Sequence, residues 1–161
     1  MAKADHEEMM RDAIEVASEA AERGEAPIGA VLFNPDGERI AQGWNQRRST
    51  GNEINHAELV AFAAAAQPGK PQPEGLVLVS TLEPCVMCWG ACLNLKCSSI
   101  VYGLEAPLDG GRQRVNDPDR HCDVVGEILR QECRALFVKW ITDNPSAAGS
   151  DYVRQLLDAT A

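Results

Sequence analysis

The chain has 161 residues, enough to bury one sizeable core, and a single domain spanning 1–161 is expected. Hydrophobic residues make up 45% of it and charged residues 24%, a balance that excludes wholesale disorder. The formal net charge of -9 excludes a broadly basic nucleic-acid-binding surface, although it leaves room for a local basic patch.

A first helix is expected from about Asp5 to Arg23. Asp5 and Glu8 have capping-box spacing, Met10, Ala13, Ile14 and Ala17 form one apolar stripe, and Gly24 ends it. His6 reads as a solvated residue at the helix start. The runs 28–33 and 38–44 read as strands joined by the turn Asn34-Pro-Asp-Gly37, an antiparallel hairpin. Gly51 and Asn52 fall in a loop before a second helix, which runs from near Asn55 through Ala66 and is stopped by the Pro- and Gly-containing stretch 67–75. Residues 76–81 read as a buried strand because both faces are largely apolar. A third helix from Pro84 or Cys85 to near Leu95 and a strand at 99–102 complete a strand–helix–strand crossover. Residues 103–122 read mainly as a loop. A fourth helix then places Ile128, Leu129, Cys133, Leu136, Phe137 and Trp140 on its buried side and ends at Asn144-Pro145. The stretch 146–161 forms a short C-terminal helical extension. The sum is an α/β fold, a three-layer α/β/α sandwich with a mixed central sheet of about five strands.

The N-terminal run MAKADHEEMMRDAIEV carries charges every few residues and lacks the apolar core of a secretory signal, and no later segment reaches membrane-spanning length. A cytoplasmic location is expected, with the six cysteines reduced, so that a Cys-x-x-Cys pair points to metal binding or catalysis.

The chemistry concentrates in His56-Ala-Glu58 and Pro84-Cys-Val-Met-Cys88. Zinc favours imidazole nitrogen and thiolate sulfur, and a catalytic site keeps three protein ligands and one open position for water. His56, Cys85 and Cys88 supply that set. A helix N-terminus around the two cysteines favours thiolate over thiol, and Pro84 suits the first turn. Bound zinc lowers the pKa of water toward ~7. Glu58 is the candidate to move protons from that water to a leaving amine. In a regular helix, positions 56 and 58 point roughly 200° apart, so the pairing requires His56 at the very start of its helix. Other readings stand beside these. Cys-x-x-Cys also occurs in zinc knuckles and redox proteins, and Asn55-x-x-Glu58 fits a plain capping box. His-x-Glu combined with Pro-Cys-x-x-Cys is the zinc deaminase signature, in which the Glu is not a ligand.

These motifs, with Ala26-Pro-Ile-Gly-Ala-Val31, Gly43-Trp-Asn45 and Thr81-Leu-Glu-Pro-Cys-Val-Met-Cys88, resemble the cytidine deaminase-like superfamily over about residues 6–142. Within it they resemble the branch of tRNA adenosine deaminases and guanine or nucleoside deaminases. The resemblance implies one Zn2+ per chain and a homodimer. It also implies substrate-binding roles for Asn45, for the Ala57 backbone N–H, and for Pro27 and Ile28 as apolar pocket walls. Cys92, Cys97 and Cys133 read as core residues, His121-Cys122 lacks the neighbours of a second metal site, and Trp89 stands where the tRNA branch has a small residue.

The motif text favours tRNA, whereas the charge of -9, the stretch Leu104-Glu-Ala-Pro-Leu-Asp109, and a C-terminal segment whose one basic residue is Arg154 favour a small substrate. The balance of these features predicts hydrolytic deamination of a free nucleobase or nucleoside. The alternative is conversion of adenosine to inosine in a tRNA anticodon loop, with Arg47, Arg48, Arg112, Arg114 and Arg120 as a local basic rim. A non-catalytic zinc module is disfavoured by Glu58 and the open coordination position.

Overall fold

The computed structural model describes residues 3–161. Five strands form one mixed sheet: β1 (Gly29–Phe33), β2 (Arg39–Trp44), β3 (Val77–Leu82), β4 (Ser99–Leu104) and β5 (Asp123–Val125), in the order β2-β1-β3-β4-β5. β1 runs antiparallel to both β2 and β3, whereas β3, β4 and β5 are parallel. β3 is central and buried along its whole length, as its two apolar faces predict.

Helices cover both faces. On one side α1 (Lys3–Glu22), α5 (Arg130–Asp143) and α6 (Ser150–Ala159) bury Met10, Val16, Phe137, Trp140, Val153 and Leu156 against Val31, Val79 and Val101. On the other side α3 (Ala57–Ala65) and α4 (Val86–Asn94) bury Ala61, Phe62, Cys92 and Leu93 against Ala30, Leu32, Leu78 and Ile100. A single-turn helix, α2 (Arg47–Thr50), lies between β2 and α3. This is the three-layer α/β/α sandwich with a mixed sheet. Among the described residues no helix is long and apolar enough to cross a membrane.

Several local expectations shift. α1 begins at Lys3, so Asp5 lies inside the helix and not at its cap; its side chain lies outside the described residues. Gly24, with φ 79°, does terminate α1, accompanied by the Glu25 N–H bond to the Ala20 carbonyl. His6 is buried at 8% exposure, not solvated. Residues 105–122 form a loop, as expected, but β5 comes between it and the next helix and adds a third parallel strand at the sheet edge. α5 starts later than its apolar stripe suggests. Glu127 and Leu129 both adopt left-handed φ, which breaks the helix just before Arg130.

Two glycines set how closely α1 and α3 pack. A Cβ on Gly43 would stand 2.4 Å from the Ala57 carbonyl oxygen and 2.4 Å from the Ala61 nitrogen, so β2 touches the backbone of α3 there. A Cβ on Gly29 would meet the Ala13 carbonyl and the Ala17 nitrogen of α1 at the same distance.

Candidate metal centre and active site

The start of β1 and the ends of β2, β3 and β4 lie at one edge of the sheet, where crevices outside strand carboxyl ends form binding sites. His56 is the N-cap of α3, with extended φ -71° and ψ 153°, and makes no side-chain cap hydrogen bond. Because it stands just outside the helix, its ring escapes the 200° offset and shares a side with Glu58. Cys85 is likewise the extended N-cap of α4, and Cys88 occupies its first turn. Pro84 therefore precedes the cap instead of entering the helix; its carbonyl accepts the Gly111 N–H.

These two helix starts bring the expected ligand atoms together. Cys85 Sγ lies 3.5 Å from His56 Nδ1 and 3.7 Å from Cys88 Sγ, and Cys88 Sγ lies 3.7 Å from His56 Nδ1. Tetrahedral zinc with ordinary Zn–S and Zn–N bonds separates two sulfurs by about 3.8 Å and sulfur from nitrogen by about 3.6 Å. The three atoms thus already stand at the edges of a zinc tetrahedron. Among the described residues no other group of three His, Cys, Asp or Glu offers ligand atoms at comparable spacing.

The electrostatics suit a metal. Hydrogen bonding from Cys88, then from His56, holds the Cys85 thiol down at about 4 despite its partial burial. Cys88 is pushed up by the Cys85 sulfur beside it and by burial, so the metal-free pair shares one proton. The hydrogen bond to Cys85 raises His56. Cys92, fully buried on the same helix, sits outside this group and packs in the core with Cys97.

Glu58 is 3% exposed, with Oε2 3.5 Å from Cys88 Sγ and Oε1 accepting the Ser80 hydroxyl at 3.4 Å. Burial raises its carboxyl above the ordinary range, which favours the protonated form that a proton carrier needs. His56, not Asn55, is the N-cap of α3, and Asn55 receives Asn52 on its side-chain oxygen and donates to Thr50, so the capping-box reading fails.

Around this centre, Ala57 opens α3, where N–H groups have no helical partner, and is fully buried. Pro27 is buried, and half-buried Ile28 packs against both cores. Asn45 is 7% exposed, and its N–H bonds the Ile28 carbonyl at 3.0 Å. Glu83, one residue before Pro84, accepts the Ala106 and Arg112 N–H groups and so folds the loop after β4 toward the centre, where Gly110 bridges Cys85. Tyr152 of α6 donates to Asp109 in this loop at 2.9 Å, bringing the C-terminal helix close to the site.

The five arginines do not form one free rim. Arg114 donates to the Gly110, Pro107 and Leu108 carbonyls and is a loop strut. Arg112 donates to Tyr102, Arg48 to the Gly24 carbonyl, and Arg120 pairs with Asp117. Arg47 pairs with exposed Glu53, and its charge is felt by His56. His121 is 89% exposed and pairs only with Asp123, so no second site forms there. Trp89 is buried in the core beside a cleft of about 260 Å3 that it lines with Leu93, Val115 and Cys122.

Two residues escaped sequence reasoning. Glu25 is buried and accepts from Asn45 and from the start of α2. Ser80, on the central strand, contacts Glu58. The alternation of β3 marks Ser80 as inward-facing beside apolar neighbours, a usable signal; Glu25 offers none.

Comparison with known proteins agrees with this geometry. The model of the cytidine and deoxycytidylate deaminase zinc-binding region matches residues 3–104. A tRNA(Ile)-lysidine synthase of Deinococcus radiodurans is 46% identical over 109 residues, 67% of this chain, but the match spans only 19% of that longer relative. A tRNA-specific adenosine deaminase of Bacillus subtilis is 36% identical over 138 residues, covering 80% of this chain and 83% of its own length. A solved structure from a study of A-to-I editing by deaminases at the wobble position of transfer RNA superposes with a TM-score of 0.73 at 32% identity, covering 80% of this chain and 98% of that one. The sheet order, the paired helix starts and these matches lead to one conclusion: the chain belongs to the cytidine and deoxycytidylate deaminase zinc-binding family.

Proposed function

We propose that this chain, acting as one deaminase domain with its C-terminal helical extension, converts adenosine to inosine in the anticodon loop of a tRNA. The observation that carries the reading is 36% identity to a tRNA-specific adenosine deaminase over four fifths of both chains. This displaces the free base or nucleoside expected from the net charge. A charge of -9 averages the whole surface, whereas a substrate meets only the mouth of the site.

In this reading His56 Nδ1, Cys85 Sγ and Cys88 Sγ hold zinc, whose spacing requirement they meet. When bound, the metal supplies Lewis acidity that makes a water nucleophilic at neutral pH. Glu58 takes the proton that the attacking water sheds and delivers a proton to the exocyclic nitrogen, which leaves as ammonia. In this reading Glu58, buried beside Cys88, works at the metal edge, and it stands outside the three-ligand group. Asn45 and the Ala57 N–H hydrogen-bond the nucleoside, while Pro27 and Ile28 wall the base. A homodimer accords with the family.

One observation favours a small substrate as second reading. The single arginine of α6, Arg154, is engaged by Asp151 and the Pro145 carbonyl, leaving that helix no free cation for phosphates. The two readings part on salt. Specificity constants of the zinc-loaded protein would be measured for an anticodon stem-loop, adenosine, guanine and cytidine at two salt concentrations. RNA contact predicts a fall of about 0.7 log units per phosphate per tenfold salt. Salt-sensitive inosine formation in the stem-loop supports the proposal. Salt-insensitive turnover of a small substrate, with the stem-loop untouched, overturns it.

A further inference from the structure

Glu25 is a buried carboxylate that the chemistry above leaves unused. It follows the α1 terminator Gly24, is 2% exposed, and meets three donors. Oε1 accepts the Ser49 N–H at 2.7 Å, and Oε2 accepts the Arg48 N–H at 3.2 Å. Oε2 also accepts the Asn45 side-chain NH2 at 3.3 Å. We infer that Glu25 is a positioning residue that fixes the side-chain amide of Asn45, so that Asn45 turns its carbonyl oxygen, not its NH2, toward the substrate.

The argument is one of donor and acceptor count. An asparagine amide is nearly symmetric in shape, and only its hydrogen-bond partners decide which end points where. Here both Glu25 oxygens are already committed as acceptors by two backbone N–H groups, whose donor character cannot invert. The amide end facing Oε2 is therefore the NH2. The opposite end, Oδ1, has no hydrogen-bond partner among the described residues. The Asn45 backbone is pinned to Ile28 at the head of β1, and the next residue, Gln46, donates to the Asn55 carbonyl beside His56. The Asn45 backbone thus belongs to the frame that carries the metal ligands. An acceptor at this place selects a substrate group that donates, such as a sugar hydroxyl or a ring N–H. This inference rests on the proposed nucleoside substrate for the identity of that group. The Arg48 and Ser49 N–H groups hold the carboxyl itself in place beside Asn45.

The test is a double-mutant cycle of Glu25→Gln and Asn45→Ala, run on whichever substrate of the panel above is turned over. A stem-loop that fails to react thus counts against the tRNA reading alone. Glu25→Gln puts an NH2 against at least one of the three donors and should lower kcat/KM by roughly tenfold to a hundredfold, the loss of one oriented hydrogen bond. Asn45→Ala should lose as much. The double variant should be no worse than Asn45→Ala alone, because Glu25 acts through Asn45. Losses that multiply in the double variant overturn the inference, as does full activity in Glu25→Gln. Should Glu25→Gln fail to fold, Asn45→Asp tests the same contact by setting an acceptor against an acceptor. A marked loss of kcat/KM is then expected, and wild-type activity in Asn45→Asp contradicts it.

Discussion

Replacing Glu58 by glutamine separates the chemical role of this side chain from a structural one, because the two make opposite predictions. Glutamine conserves the volume of a side chain that is 3% exposed, and the contacts it inherits, at 3.4 Å to Ser80 and 3.5 Å to Cys88, are long. Little packing or hydrogen bonding is therefore lost. What disappears is the ionisable group. Burial raises the Glu58 carboxyl in the metal-free chain. A raised carboxyl favours folding below its unfolded value, near ~4.3, and that contribution is lost as pH rises through the folded value. At neutral pH, where the unfolded chain's carboxyl is ionised, burying Glu58 thus burdens the fold, and Glu58→Gln should melt no lower than wild type when both are metal-free. Below about pH 4 the advantage should vanish. Activity should move the other way. Removing proton transfer costs about 10²–10⁴ in rate, equivalent to roughly 3–5 kcal/mol of barrier. The assay is ammonia release at saturating substrate, with zinc content and melting temperature measured on the same preparations. Retained turnover together with a stability loss of about 1 kcal/mol, the signature of a cap, would refute the reasoning.

Other changes follow from the packing and charge around the site. Gly43→Ala drives a Cβ into the α3 backbone at 2.4 Å and should destabilise by about 1–3 kcal/mol. It should also lower activity, since His56 and Glu58 ride on α3; thermal melts and initial rates check both. Glu105 is held below its ordinary range by Arg130, which also donates to the Thr160 carbonyl and ties α6 to the loop after β4. The stabilisation is present above the unfolded carboxyl value and is lost as pH falls through the lower folded one. Solvent screening keeps it under about 1 kcal/mol, so Glu105→Gln should lower the melting temperature slightly at pH 7, by an amount that shrinks as pH falls through the folded value. Arg114→Ala should impair folding of the loop after β4 and lower activity at every salt concentration, because its guanidinium holds three carbonyls; a change confined to the salt slope would contradict that role.

What could be read in the sequence was whatever local pattern determines. The buried β3 run, the α1 stop at Gly24 and the placement of cysteines at a helix start all rest on short-range chemistry and are seen in the fold. The position of His56 outside its helix was required by its pairing with Glu58, and the extended N-cap supplies it. What escaped depends on distant partners. Glu25 directly follows the helix terminator Gly24, and nothing in its neighbours marks it as buried; its burial comes from Asn45, Arg48 and Ser49, more than twenty residues away for the latter two. β5 is three residues long and half exposed, too short for any alternation, and it exists because β4 offers an edge. His6 sits among charged neighbours, yet tertiary packing buries it. Net charge is a weak guide to substrate because it is a sum over the surface, and the arginines counted as a rim are mostly committed to carbonyls and carboxylates.

The claim on which the rest depends is an open, three-ligand zinc centre, and X-ray absorption at the zinc edge tests it most directly. One zinc per chain is predicted, with two sulfurs at about 2.3 Å and two nitrogen or oxygen atoms at about 2.0–2.1 Å. The sulfurs belong to Cys85 and Cys88, the nitrogen to His56, and the last position to solvent. Three or four sulfur neighbours would mean that Cys92 or another cysteine closes the site, and such a shell, or a chain that retains zinc without Cys85 and Cys88, would contradict the account.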